Sequence, residues 1–116
     1  PRVRRQRQMC IRDRSKEILE ERKKVFQAID SAVNKTFADD AETRKEGRKE
    51  LEALRGKDSA IPFFTGYAYE IEYYHTENPA DAQKAIDEYK RIIDDGYAFL
   101  KDTIQKLESK TKQIRN

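Results

Sequence analysis

The chain has no Trp and only one Cys, one Met, one His, three Pro and four Gly in 116 residues. A lone Cys forms no internal disulfide, so the fold has no disulfide framework to rest on. A lone His cannot supply the two Glu-x-x-His motifs with which a helical bundle holds a di-iron centre. No apolar run approaches the ~18 residues that a membrane-spanning helix needs, so no membrane span is expected. There is no Gly-rich phosphate loop, no Ser-His-Asp set, and little loop on which to mount a site. These shortages lead us to expect a non-enzymatic chain with no catalytic residue, no metal ligand and no cofactor.

What the chain does have is charge, with 41% Asp, Glu, Lys and Arg beside 36% apolar residues. The small net charge of +3 and the eleven Tyr and Phe argue against disorder, because those rings can be buried. The positive balance is confined to one end. Residues 1–14 hold six Arg and one Asp, which leaves 19 basic and 21 acidic side chains in residues 15–116, a net of −2. One choice of codons for Arg4 to Asp13 and the first two bases of Arg14 resembles the transposase adapter of sequencing-library preparation. That resemblance implies a non-native, disordered or frayed extension over residues 1–14, which also carries the only Cys and Met. With it set aside, the sequence pI near 9.0 no longer argues for nucleic-acid binding. Residues 15–116 then read as a single all-helical domain, expected to be internal to a longer reading frame because no Met starts it. Its compartment and oligomeric state are left open.

Apolar residues recur at three- and four-residue steps, and strand-like alternation does not. Ile18, Leu19, Val25, Phe26, Ile29, Ala32, Val33 and Phe37 predict one amphipathic helix from Lys16 to about Phe37. Asp39 with Glu42 predicts a capped second helix to about Arg55. Its few apolar residues and Gly47, which costs about 1 kcal/mol relative to Ala, make it a solvated, partly frayed element in expectation. Gly56 to Ser59 reads as a stop and a new cap, followed by a third helix from Ala60 to His75. On a projection of about 100° per residue, Phe63, Phe64, Tyr67, Ala68, Ile71, Tyr74 and His75 share its main apolar face. Tyr69 and Tyr73 fall on another face, so this helix should be packed on two sides at the centre of the domain. Asn78-Pro79 with Asp81 predicts a capped fourth helix through Ile93. The phase continues through Tyr97, Leu100, Ile104, Leu107 and Ile114, with a kink or short break near Gly96. The fold class is therefore all-α, a bundle of four or five helices.

Gly66-x-x-Tyr69 followed by Asp81-x-x-Lys84-Ala85-x-x-x-Tyr89 and Gly96 resembles one Sel1-like or tetratricopeptide-like repeat, across residues 66–96. The resemblance implies a helix-turn-helix unit that buries its face by stacking on neighbours. Ile92 and Ile93 stand where that pattern has small residues, and no second copy of it is found. A short fragment of helical repeat is thus the alternative to a plain bundle. Two constellations carry the functional expectations. Tyr69 and Tyr73 are candidate partner-binding residues, because exposed aromatics dominate binding hot spots. Glu72 and His75, one helical turn apart beside the tyrosines, form the alternative: a metal- or small-ligand-binding bundle. Asp39-Asp40 and Asp94-Asp95 read as caps and surface residues. The expected role is that of a protein-interaction or structural module whose partner is another protein, with no nucleic acid once residues 1–14 are excluded.

Overall fold

In a computed structural model, the backbone is described for residues 2–115 and the side chains for residues 14–112. The chain forms five helices, α1 (Arg2–Thr36), α2 (Ala41–Ala53), α3 (Ile61–Thr76), α4 (Pro79–Ile92) and α5 (Leu100–Arg115). Among the described residues the only bridge-like pairing is an isolated one between Arg55 and Asp58 in the α2–α3 turn. The fold is an all-α helical bundle. The extension expected over residues 1–14 falls in the first part of α1, whose backbone is helical from Arg2, and the side chains of residues 1–13 lie outside the described residues.

Each boundary has a local cause. α2 starts after Asp40 rather than after Asp39, because Thr43 offers that carboxylate two donors. The Asp40 Oδ2 accepts from Thr43 N at 2.9 Å and from Thr43 Oγ1 at 2.6 Å. These bonds hold the Asp40 carboxyl below its usual value. In the turn before α3, Asp58 Oδ1 accepts from Ala60 N at 2.8 Å, and Pro62 fits the first turn. α3 ends on Glu77, which takes the left-handed conformation at φ 57° and donates its amide to Tyr73 O at 2.7 Å. Asn78 caps α4 by accepting from Ala80 N at 3.0 Å. Gly96, at φ 96°, lies in the turn between α4 and α5, so the apolar phase shared by the two helices is broken there rather than continued through one helix.

α1 and α2 form one hairpin and α3 and α4 a second; α2 and α1 meet α3, and α5 packs on α4. The smaller core, Ala32, Leu51 and Ala68, joins α1, α2 and α3. The larger one, which includes Tyr73, Ala85, Ile86, Tyr89, Ile104 and Leu107, joins α3, α4 and α5. α2 is more deeply seated than its charged sequence suggests. Arg44, Gly47 and Leu51 are buried. A Cβ on Gly47 would fall 2.7 Å from the Ala32 carbonyl oxygen and 2.9 Å from Thr36 Cγ2, so the residue that weakens the helix is the one that lets α1 lie against it. The α3–α4 contact uses the same device, since a Cβ on Gly66 would fall 2.6 Å from Tyr89 Cε1. The result is elongated, 75 × 32 × 16 Å, with a radius of gyration of 19.1 Å against about 13 Å for a compact chain of similar length.

Candidate functional site

α3 is the most apolar helix and is packed on both sides, as its two aromatic faces suggest: Phe63, Phe64 and Ala68 of the main face and Tyr69 and Tyr73 of the other meet the two cores, while Tyr67 and Tyr74 are left exposed. Tyr73, on the minor face, is 4% exposed and sits in the larger core. Tyr69 is half-buried, with Arg48 Cζ 5.7 Å and Lys84 Nζ 5.3 Å from its ring centroid. Its phenol pKa is raised, first by burial and then by the charge of Glu52. Tyr67 and Tyr74, expected on the packed face, are 39% and 55% exposed. The minor face is covered because Ala82, Ala85 and Ile86 of α4 pack with Tyr73, and these positions only become neighbours in the folded chain.

Three exposed rings, Phe37, Tyr67 and Phe99, and two half-buried ones, Phe63 and Tyr97, form a continuous row. Phe37, just past the end of α1, meets Tyr67 edge-on at 5.9 Å between centroids. Tyr67 stacks on Phe63 at 6.4 Å, one helical turn earlier. Phe63 in turn meets Tyr97 at 5.6 Å and Phe99 at 6.3 Å, both from the turn between α4 and α5. Phe37 and Phe99, the ends of the row, are 52% and 63% exposed. Such ring pairs hold one another in place at about 0.5–1.5 kcal/mol each, so the row is ordered without being covered. Sequence periodicity misses this row because three of its members, Phe37, Tyr97 and Phe99, lie outside the helices. The available signal was the concentration of aromatic residues beside Gly96 and at the end of the first apolar stripe.

Polar contacts join the helices elsewhere. Tyr89 is 1% exposed and donates its hydroxyl to Glu70 Oε1 at 2.7 Å; Tyr74 donates to Glu70 Oε2 at 3.2 Å. Both phenol pKa values are raised, by burial first and by Glu70 second. Glu72 Oε2 accepts from Arg44 Nε at 2.7 Å and from Arg48 at 2.9 Å, while Arg44 also donates to the Ala38 and Asp39 carbonyls. Burial alone would push the Glu72 carboxyl up; the Arg44 hydrogen bond and the two guanidinium charges outweigh it and hold the group below its usual value. Arg55 ties the end of α2 to α4 by donating to both oxygens of Glu88, at 2.7 and 3.2 Å. Arg55 also donates to both oxygens of Glu52, and the Glu52 and Glu88 carboxylates, Glu52 first, hold its pKa above the usual guanidinium value.

The Glu72 and His75 pair is thus divided between two surroundings. Glu72 is buried against two arginines, whereas His75 is exposed. Among the described residues no group of three or more His, Cys, Asp or Glu side chains converges. No described helix is long and apolar enough to cross a membrane. Comparison with known proteins finds no matching family model, no similar curated protein and no similar solved structure.

Proposed function

We propose that this chain is a non-enzymatic protein-interaction module that holds an apolar segment of another protein against the row Phe37, Tyr67, Phe63, Tyr97 and Phe99. The observation that supports this most is that the row is ordered ring against ring while its ends stay more than half exposed. Large exposed aromatic patches on a folded chain mark interaction sites, and rigid rings bind at small entropic cost. The polar contacts that link α2, α3 and α4 keep these helices in register, which is what a preformed binding face requires. In this reading Tyr73 belongs to the core and Tyr69 to the charged seam of Arg48 and Lys84, and neither meets the partner.

The alternative reading, a fragment of Sel1-like or tetratricopeptide-like repeat, has some support in the packing. Two residues of that resemblance, Gly66 and Tyr89, are in direct apposition, where the small residue of one helix receives the ring of the next. The consecutive packing of two hairpins and a following helix also suits a stack of such units.

Affinity capture from cell extract, followed by reconstitution of the captured protein from purified components, tests the reading. Phe37→Ala with Phe99→Ala should weaken the reconstituted complex by about 30-fold or more, the effect of losing a hot spot. Affinity unchanged in that variant would place the partner elsewhere on the chain.

A further inference from the structure

Cations of the chain itself lie over two of its rings, neither of them in the aromatic row. Tyr69 has Arg48 and Lys84 at 5.7 and 5.3 Å from its centroid, and Tyr74 has Lys110 at 4.7 Å. Among the described residues, no Lys or Arg lies over Phe37, Phe63, Tyr67, Tyr97 or Phe99. An aromatic face is electron-rich and draws a cation within about 6 Å of its centroid, most strongly where water is excluded. The exposed rings of the row therefore keep open an interaction that Tyr69 and Tyr74 fill from within the chain.

The charge beside the row is acidic at both of its ends. Asp39 and Asp40 follow Phe37 by two and three residues, Asp94 and Asp95 precede Tyr97 by three and two, and Asp102 follows Phe99 by three; all five are exposed. Three residues of extended chain reach no more than about 11 Å, and turns reach less. That is close to the screening length of about 8–10 Å at physiological salt, so these carboxylates act on the row whichever way each side chain points. Among the described residues, none of the five forms an ion pair with a Lys or Arg. The bases near the Phe37 end are engaged: Lys35 is held by Glu46 and Glu50, and Arg44, whose charge also reaches Asp40, is buried on Glu72. At the other end, Lys101 is one exposed base beside three exposed acids.

We propose that the partner segment held by the aromatic row is basic and amphipathic, with apolar side chains seated on the rings and Arg or Lys toward both ends. Those cations meet Asp39 and Asp40 on one side and Asp94, Asp95 and Asp102 on the other. The inference rests on the row being the docking face proposed above, and adds the charge of what docks. An acidic segment is disfavoured by the carboxylates and by the ring faces alike. A purely apolar segment takes water from the carboxylates and gives them no partner. Arg suits the place better than Lys, because its planar guanidinium stacks on a ring while it bonds a carboxylate with two donors.

Fluorescence anisotropy of the full chain with two labelled amphipathic peptides tests the proposal: one is built of Leu and Arg, and its twin has Gln in place of every Arg. The Arg peptide should bind about 10-fold tighter than the twin at low salt, and the advantage should shrink as salt is raised. Asp39→Asn with Asp94→Asn and Asp95→Asn should weaken the Arg peptide about 10-fold and leave the twin unchanged. The helical circular dichroism spectrum of that variant should match the wild type, since all three residues are exposed. Phe37→Ala with Phe99→Ala should weaken both peptides by about 10-fold or more. An Arg peptide that does not bind, that binds no better than its twin, or that ignores the Asn substitutions would overturn the basic partner. The row would stand as a docking face in the last two cases if the Ala substitutions still weaken binding. Binding that ignores the Ala substitutions would overturn the row as the docking face, and the charge of its occupant with it.

Discussion

Gly66 and Tyr89 show at the scale of single residues how this chain brings two helices together: the ring lies where a side chain would begin. Because the obstructing atoms belong to a ring that is 1% exposed, it has little room to move aside. Gly66→Ala should therefore destabilise the fold by about 2 kcal/mol, the usual scale of overpacking, despite the better helix propensity of Ala. Urea unfolding checks this, and a stabilised variant would mean that the helices separate freely. Glu77 presents the opposite case, a side chain in the left-handed conformation at φ 57°, where glycine is at ease. Glu77→Gly should raise stability by about 0.5–1 kcal/mol, read from the same unfolding curves.

Among the elements, α2 shows most clearly what was legible in the sequence and what was not. Its cap and its length could be read to within a residue or two, since Asp, Thr and Gly act on their own neighbours. Its burial could not, because that depends on Arg44 finding Glu72, 28 residues away, and on Gly47 finding α1. α3 was likewise placed correctly and is packed on two sides as read, but the exposure of Tyr67 and Tyr74 on its main face could not be read. Periodicity tells which rings share a side and is silent on which side another helix covers. The Arg44–Glu72–Arg48 cluster joins these two helices, and its acid response follows from the lowered Glu72 pKa. A carboxylate with a lowered folded value contributes stability above its unfolded value, and loses it as pH falls through the folded one. The contribution should be fully present above the ordinary value near 4.5 and fade below it. Glu72→Gln should cost about 2 kcal/mol at neutral pH, as Arg44 is left buried without its charge partner. It should also flatten the acid limb of a plot of stability against pH. An acid limb unchanged in the variant would assign that limb to other carboxylates.

The whole molecule is elongated, so separate surfaces can act without touching. Five helices in one open arrangement leave an aromatic row on one side, an apolar stripe on the projecting part of α1 and a charged face on α5. Their separation follows from stacking, in which each helix covers its sequence neighbours and leaves the rest of its surface to water. Electrostatics divide along the same chain: with residues 1–14 deleted, net charge passes from +3 to −2, and affinity for DNA should fall to background at moderate salt. DNA binding that survives the deletion would show a basic surface within residues 15–116. The rings divide into a structural set and a free set. Urea unfolding of Phe37→Ala with Phe99→Ala, beside Tyr73→Ala, tests it most directly. The account predicts that the double variant costs no more than about 2 kcal/mol, because both rings are more than half exposed and give up only their ring-on-ring contacts. It predicts a loss of about 3 kcal/mol or more for Tyr73→Ala, which empties part of the larger core. Equal losses from the two, or a neutral Tyr73→Ala, would contradict it.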